Sequence, residues 1–317
     1  MVRDSSKIPL SWGAMNRLRL HDASPEFSRL AFGTWRVLED PATATPPGLL
    51  ELFKVCLDCG ITTIDTAEIY GGYRVEELVG AALALDPGVK KRMEIITKAG
   101  IYVPNAFHPD RRFAHFNASA ARLVKSVEKS LRLLGVETLD CLLVHRPDWV
   151  ASIDDTAAGL NQLVQQGKLR SAGVSNYSAS QFAALSSRMD QPLVTNQVEF
   201  HPFQMAPMED GVFDQCQERR LTPMAWSPMA GGRIFAADDV AAVRLRVACA
   251  EMSDRYGGAG VDQLVLAWIM AHPARPVPVL GTAKADRVRT AAAAVSLTLS
   301  REDWYGLWEA ARGHRIP

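Results

Sequence analysis

The sequence predicts an α/β protein, a single-domain (β/α)8 TIM barrel, on three observations. Short apolar, β-branched runs alternate with amphipathic stretches along almost the whole chain, and eight such units can be counted. Strands that alternate with helices pair in parallel through right-handed crossovers, and eight units can close on themselves. The rival architecture, an open doubly wound sheet, carries a G-x-G-x-x-G turn after its first strand, and that fingerprint is absent. The nearest approach, GGAG at 257–260, lies between helical stretches.

The predicted strands are, in order, LAFGTW (30–35), ITTID (61–65), MEIITK (93–98), LDCLLVH (139–145), LRSAGVS (169–175), LVTNQVEF (193–200), LTPMAWS (221–227) and VPVLG (277–281). Between the first two, ELFKVCLDCG reads as a helix stopped by Gly60. Between the third and fourth, NASAARLVKSVEKSLRLLG places Leu123, Val124, Val127, Leu131 and Leu134 on one helical face and stops at Gly135. Asn117 or Ser119 caps its start. SASQFAALSSRM follows the fifth strand, with Ser178 as cap. The seventh unit carries a long helical excursion at about 233–273. Residues 1–14 read as a flexible N-terminal extension, with Met15 an alternative start, and 15–317 as the barrel.

Composition narrows the function classes. The 317 residues are 48% hydrophobic and 22% charged, and 35 Lys+Arg balance 35 Asp+Glu. A chain without net charge lacks the basic surplus that neutralises nucleic-acid phosphates. No apolar run reaches the roughly 20 residues of a membrane-spanning helix, and the N-terminus has no apolar segment suited to a signal peptide. A cytoplasmic protein with neither nucleic acid nor membrane as partner is the expectation. The five scattered cysteines fit a reducing compartment. Cys56 and Cys59 form a C-x-x-C, but at a helix C-terminus, where the dipole opposes thiolate formation.

Barrel strands deliver function at their C-terminal ends. Here ITTID ends on Asp65, MEIIT is followed by Lys98, and LDCLLV is followed by His145; Tyr70 stands five residues beyond Asp65. Each alone has an ordinary explanation as a cap, a solvated lysine, a satisfied histidine or a loop aromatic. Together they are chemically coherent. An ammonium beside a phenol stabilises tyrosinate and lowers a pKa that is ordinarily about 10. A carboxylate holds the ammonium, and an imidazole can donate to a carbonyl oxygen. The set polarises a carbonyl and offers it a proton. No side chain donates hydride, so reduction requires a cofactor such as a nicotinamide.

The residues also resemble a known family. GITTIDTAEIYGGYRVEELVG (60–80) is similar to the first signature of the aldo-keto reductases. Further matches run in order through IITKAG, LDCLLVHRPD, KLRSAGVSNYSASQF, TNQVEFHP, PMAWSPMAGGRIF and PVPVLGTAKADRVR, over about 28–316. IYGGY, HRPD and AWS resemble a bacterial oxidoreductase branch. The resemblance implies an NADPH-dependent reductase that binds NADP on the barrel without a Rossmann domain and acts on a small-molecule carbonyl substrate. By position the catalytic tetrad falls on Asp65, Tyr70, Lys98 and His145, with Tyr70 the general acid in reduction. Ser175, Asn176 and Gln197 match the nicotinamide carboxamide contacts, Trp226 the ring-stacking aromatic (Tyr in many relatives), and Ser227 a pyrophosphate contact. Gly281, Thr282, Lys284, Arg287 and Arg289 match the adenosine-phosphate loop, where other branches carry Lys-Ser at the Gly-Thr positions. Arg and Lys there suit a 2′-phosphate.

Two other classes stay open. One is an NADPH-binding regulatory or scaffold subunit with little turnover, against which the intact tetrad argues. The other is a barrel hydrolase with a metal on Asp65 and His145, for which no further ligands cluster. Glu199 and His201 form one isolated E-x-H pair, and no metal site is expected. Asp148 caps a turn beside Pro147, while Trp35, Arg36, Tyr73 and the FHPDRR loop (107–112) are candidates for the pocket mouth. Oligomeric state and physiological substrate are not readable from sequence.

Overall fold

The computed structural model describes residues 17–106 and 109–316, so the expected N-terminal extension lies outside the described residues. A hairpin, β1 (Arg17–Arg19) and β2 (Glu26–Ser28), precedes the barrel. The barrel strands are β3 (Ala31–Gly33), β4 (Thr63–Asp65) and β5 (Glu94–Ala99), then, after a second hairpin of β6 (Ile101–Tyr102) and β7 (His115–Phe116), β8 (Cys141–Val144), β9 (Ala172–Ser175), β10 (Leu193–Glu199), β11 (Met224–Trp226) and β12 (Val277–Leu280). All eight pair in parallel and close into a barrel, each against its sequence neighbours and β12 against β3. This is the (β/α)8 architecture expected from the strand–helix rhythm.

Period-two alternation divides each strand between two environments. Phe32, Ile64, Ile95, Leu142, Val144, Val174, Ala225 and Leu280 belong to the outer core beneath the helices. Ala31, Ile96, Cys141, Leu143, Val194, Met224, Val277 and Val279 form an inner core with Leu18, Leu20 and Phe27. The first hairpin thus closes the N-terminal end of the barrel with apolar side chains. Asp65 and Lys98 share the inward parity of Thr63 and Ile96, two residues nearer the opposite rim, so the polar groups collect at the C-terminal end.

The helices meet the sequence expectations with local refinements. Ala120–Leu134 starts after Ser119, but Ser119 makes no capping bond; Asn117 Oδ1 accepts from its amide and hydroxyl instead. Ala179–Ser186 carries a full capping box between Ser178 and Gln181. The excursion after β11 resolves into Val240–Met252 and Val261–Ala271. Gly80 brings Val75–Ala84 against Ala120–Leu134, where a Cβ would lie 1.9 Å from the Leu133 carbonyl oxygen. Cys56 is buried in Pro46–Asp58 and Cys59 caps that helix's C-terminus, and all five cysteines are free and buried. No helix among the described residues is long and apolar enough to cross a membrane.

Candidate active site

The segment after β4 is pinned along β5. The Thr66 amide donates to the Ile96 carbonyl, and the Glu68 amide to the Lys98 carbonyl. Glu68 is buried; its carboxylate accepts from the Gly100 amide at 3.0 Å and pairs with Arg122 at 2.7 Å. The chain then turns through Gly71 at φ 55°, where any Cβ would lie 2.3 Å from Leu38 Cδ1. Only glycine allows that turn, and it fixes Tyr70 over the barrel mouth. The Glu68–Arg122 pair is a support the sequence reading missed, since 54 residues separate the partners and neither stands at a strand end.

Lys98 is buried, and its three ammonium donors each have an acceptor. They reach Asp65 Oδ1 at 2.6 Å, the Thr66 carbonyl at 2.9 Å and the Tyr70 hydroxyl oxygen at 3.1 Å. Because the ammonium can only donate, the Tyr70 oxygen accepts and its own proton stays free to donate elsewhere. The second Asp65 oxygen accepts from Gln197 Nε2 at 2.7 Å. Centroid to centroid, the imidazole of His145 lies 6.1 Å from the Tyr70 ring, and the Trp35 ring lies 4.8 Å from that phenol ring in a T-shaped arrangement. His145 Nδ1 is buried with no partner among the described residues.

The electrostatics qualify one expectation. Burial pushes the Tyr70 phenol up; the Lys98 ammonium pulls it down as the sequence reading expects, but the net direction is above 10. Desolvation outweighs a cation whose charge Asp65 already offsets. Burial also opposes the charge on Lys98, yet Asp65 and Tyr70 together hold its pKa above the ordinary lysine value. Burial, then the charges of Lys98 and Arg146, keep His145 well below 6.5, so the imidazole is neutral.

The expected carboxamide contacts adjoin the tetrad. Ser175 Oγ donates to the Gln197 carbonyl at 2.8 Å. Asn176 Nδ2 donates to Ser175 Oγ at 2.8 Å and to the His145 carbonyl at 3.3 Å. Trp226 Nε1 donates to Asn176 Oδ1 at 3.0 Å. Asn176 and Ser227 both hold left-handed backbone, at φ 60° and 52°. Non-glycine residues adopt that region at a cost of about 1–3 kcal/mol and cluster at functional sites.

Gly281, Thr282 and Lys284 lie between β12 and the helix Ala285–Ala293, and Arg287 and Arg289 stand on that helix. Lys284 is ion-paired with Asp40 at 2.8 Å, Arg289 with Asp286 at 3.0 Å, and Arg287 is exposed. Asp40 is a neighbour the sequence did not announce. At the mouth Trp35 is 54% exposed, whereas Tyr73 is buried, its hydroxyl accepting from the Val103 amide at 2.8 Å. Two residues of the FHPDRR loop, 107 and 108, lie outside the described residues. Asp148 caps as expected, accepting from the Val150 amide, and also from the Ala118 amide. Glu199 pairs with His201 Nε2 at 3.2 Å, His201 Nδ1 accepts from the Phe203 amide at 3.1 Å, and no cluster of three potential metal ligands occurs among the described residues.

Comparison with known proteins agrees with this geometry. The model of the aldo/keto reductase family matches residues 29–311. The chain is 39% identical to the Bacillus subtilis oxidoreductase YcsN, covering 96% of this chain and all of that one. It is 38% identical to a 6-dehydroglucose reductase of Agrobacterium fabrum, covering 95% and 100% of the two chains. Among solved structures, a glycerol dehydrogenase from Gluconobacter oxydans superposes with a TM-score of 0.82 at 25% identity, covering 96% and 98%. An aldo/keto reductase from Klebsiella pneumoniae in complex with NADP and acetate gives 0.73 at 28%, covering 92% and 93%.

Proposed function

The chain belongs to the aldo/keto reductase family, a family of oxidoreductases, and from that premise we propose that it is an NADPH-dependent enzyme reducing an aldehyde or ketone to an alcohol, with Tyr70 as general acid. The observation that carries this reading is the Lys98 ammonium, whose three donors are taken by Asp65, Thr66 and Tyr70. That arrangement turns the phenol proton outward, and the developing tyrosinate is left beside a fixed cation. The raised ground-state pKa of Tyr70 keeps the phenol protonated and ready to donate.

The side chains suit a nicotinamide. Ser175, Asn176 and Gln197 bring a hydroxyl and two amides to neighbouring strand ends, the groups a carboxamide would bond by exchanging contacts they now make with one another, and Trp226 presents an indole beside them. When bound, the reduced nicotinamide supplies the hydride. The neutral His145 donates to the carbonyl oxygen and orients it. Tyr70 then delivers its proton to that oxygen, and Lys98, held by Asp65, stabilises the phenolate. The backbone and hydroxyl of Ser227 would approach the pyrophosphate, and Gly281 opens the adenosine-phosphate loop. Thr282, Lys284, Arg287 and Arg289 would meet a 2′-phosphate, with the Lys284 head group turning from Asp40 to do so; the lysine is exposed enough to allow it. The five free, buried thiols are in keeping with a cytoplasmic location.

The test is a panel of aldehydes, ketones and sugar aldehydes, run with NADPH and NADH in parallel and read by loss of reduced-nicotinamide absorbance. The sugar aldehydes belong there because relatives from Agrobacterium fabrum and Novosphingobium aromaticivorans are named 6-dehydroglucose reductases. Turnover with NADPH preferred supports the proposal. Tight NADPH binding without turnover across the panel would refute it in favour of a cofactor-binding subunit.

A further inference from the structure

Arg146 follows His145 directly at the end of β8 and is half-buried. Its guanidinium carbon lies 5.9 Å from the centre of the Trp226 ring. Its charge is felt at both Tyr70 and His145. It therefore stands at the same mouth as the reacting groups, between the imidazole and the indole.

Several other cations of the chain are ion-paired and Arg146 is not. Lys98 is held by Asp65, Arg122 by Glu68, Arg233 by Asp239 and Lys284 by Asp40. The carboxylate nearest in sequence, Asp148, is turned away onto the Ala118 and Val150 amides. Among the described residues Arg146 has no carboxylate within ion-pairing distance. The Asp65–Lys98 pair is internally balanced, so it offers this guanidinium no counter-charge.

Water solvates such a cation while the mouth is open, and the face of Trp226 offers a weak substitute. A substrate that fills the mouth displaces that water. A neutral group then leaves the guanidinium partly desolvated, whereas an oxyanion replaces the lost water with charge-assisted hydrogen bonds, two at once if it is planar. Resting on the reductase reading above, we propose that Arg146 is a substrate-recognition residue and that the preferred carbonyl compound bears a carboxylate or a comparable oxyanion. The guanidinium holds that anion while His145 and Tyr70 engage the carbonyl oxygen.

Paired probes test this: succinic semialdehyde against butanal, and 4-carboxybenzaldehyde against 4-methylbenzaldehyde, with glyceraldehyde as a neutral hydroxylated aldehyde. The wild type is expected to favour each anionic member by about tenfold or more in kcat/KM, through KM. R146Q is expected to bring both ratios to about one, and R146K to retain part of the preference as a point charge without the planar donor pair. NADPH affinity, read by fluorescence, is expected to be the same in all three proteins, which also certifies that the variants fold. Three results overturn the inference: no anion preference in the wild type, an unchanged preference in R146Q, or a loss of glyceraldehyde turnover in R146Q as large as that of the anions. Weakened NADPH binding in R146Q with a normal circular dichroism spectrum would assign Arg146 to the cofactor and overturn it too. If the wild type reduces the neutral aldehydes without preferring anions, the reductase reading stands and this inference falls; if it reduces nothing, both fall.

Discussion

Glu76 gives the sharpest test of the energetics behind the site. Its carboxyl is buried between the helix Val75–Ala84, the helix Ala120–Leu134 and β5, accepting from Thr97 Oγ1 at 2.7 Å and Ser130 Oγ at 3.0 Å. No cation pairs with it among the described residues. Burial, only partly offset by the two hydroxyls, pushes its pKa from 4.5 to about 7. A carboxyl raised on folding binds its proton more tightly in the native state, so its contribution is whole below pH 4.5 and is lost as pH rises through 7. At 1.36 kcal/mol for each pKa unit, the wild type gives up about 3 kcal/mol between those limits. Glu76→Gln removes the titration and keeps the shape, and the two hydroxyls can rotate to satisfy the amide. Urea unfolding of both proteins at about pH 5 and about pH 8.5 measures the effect. The variant is expected to match the wild type within about 1 kcal/mol at the acid pH and to exceed it by about 2–3 kcal/mol at the alkaline one. An advantage that does not grow with pH would refute the reasoning, because it would mean that the native carboxyl is ionised at little cost.

Two further outcomes follow from packing. Gly80→Ala should lower stability by about 3 kcal/mol or more, since the new Cβ meets the Leu133 carbonyl oxygen and neither helix can yield locally; an unchanged urea midpoint would contradict it. The five thiols should resist alkylation in the native protein and all react once it is unfolded, because burial pushes Cys141, Cys216 and Cys249 to about 12 and raises Cys56 and Cys59 as well. Mass spectrometry after a short iodoacetamide pulse reads this, and rapid native labelling of Cys56 or Cys59 would reopen a redox role for the C-x-x-C.

The barrel was legible because parallel strands buried on both faces leave long apolar runs, and each run ends where a polar residue marks the rim. The same logic located Asp65, Lys98 and His145. Tyr70 was reachable only through the D-T-A-x-x-Y spacing, whose physical basis is the left-handed turn at Gly71. The two hairpins escaped notice because their strands are only two or three residues long and, unlike the equally short barrel strands, do not sit in an extended apolar run. Glu68–Arg122, Asp40–Lys284 and the isolation of Arg146 are contacts, or missing contacts, between distant segments, and no local pattern encodes them. The sign of the Tyr70 shift was missed for a related reason: proximity to Lys98 follows from family spacing, but the extent of burial emerges only when the loop folds over the barrel.

The most direct measurement compares Tyr70→Phe with the wild type in single-turnover reduction of an accepted aldehyde, with NADPH affinity determined on the same samples. The substitution leaves the ring and its packing against Trp35 and removes only the hydroxyl held by Lys98. The account predicts unchanged NADPH binding and a hydride-transfer rate lower by about a hundredfold or more, the range a positioned general acid supplies. Equal rates in the two proteins would show that the proton comes from elsewhere, and the role assigned to Lys98 and Asp65 would go with it.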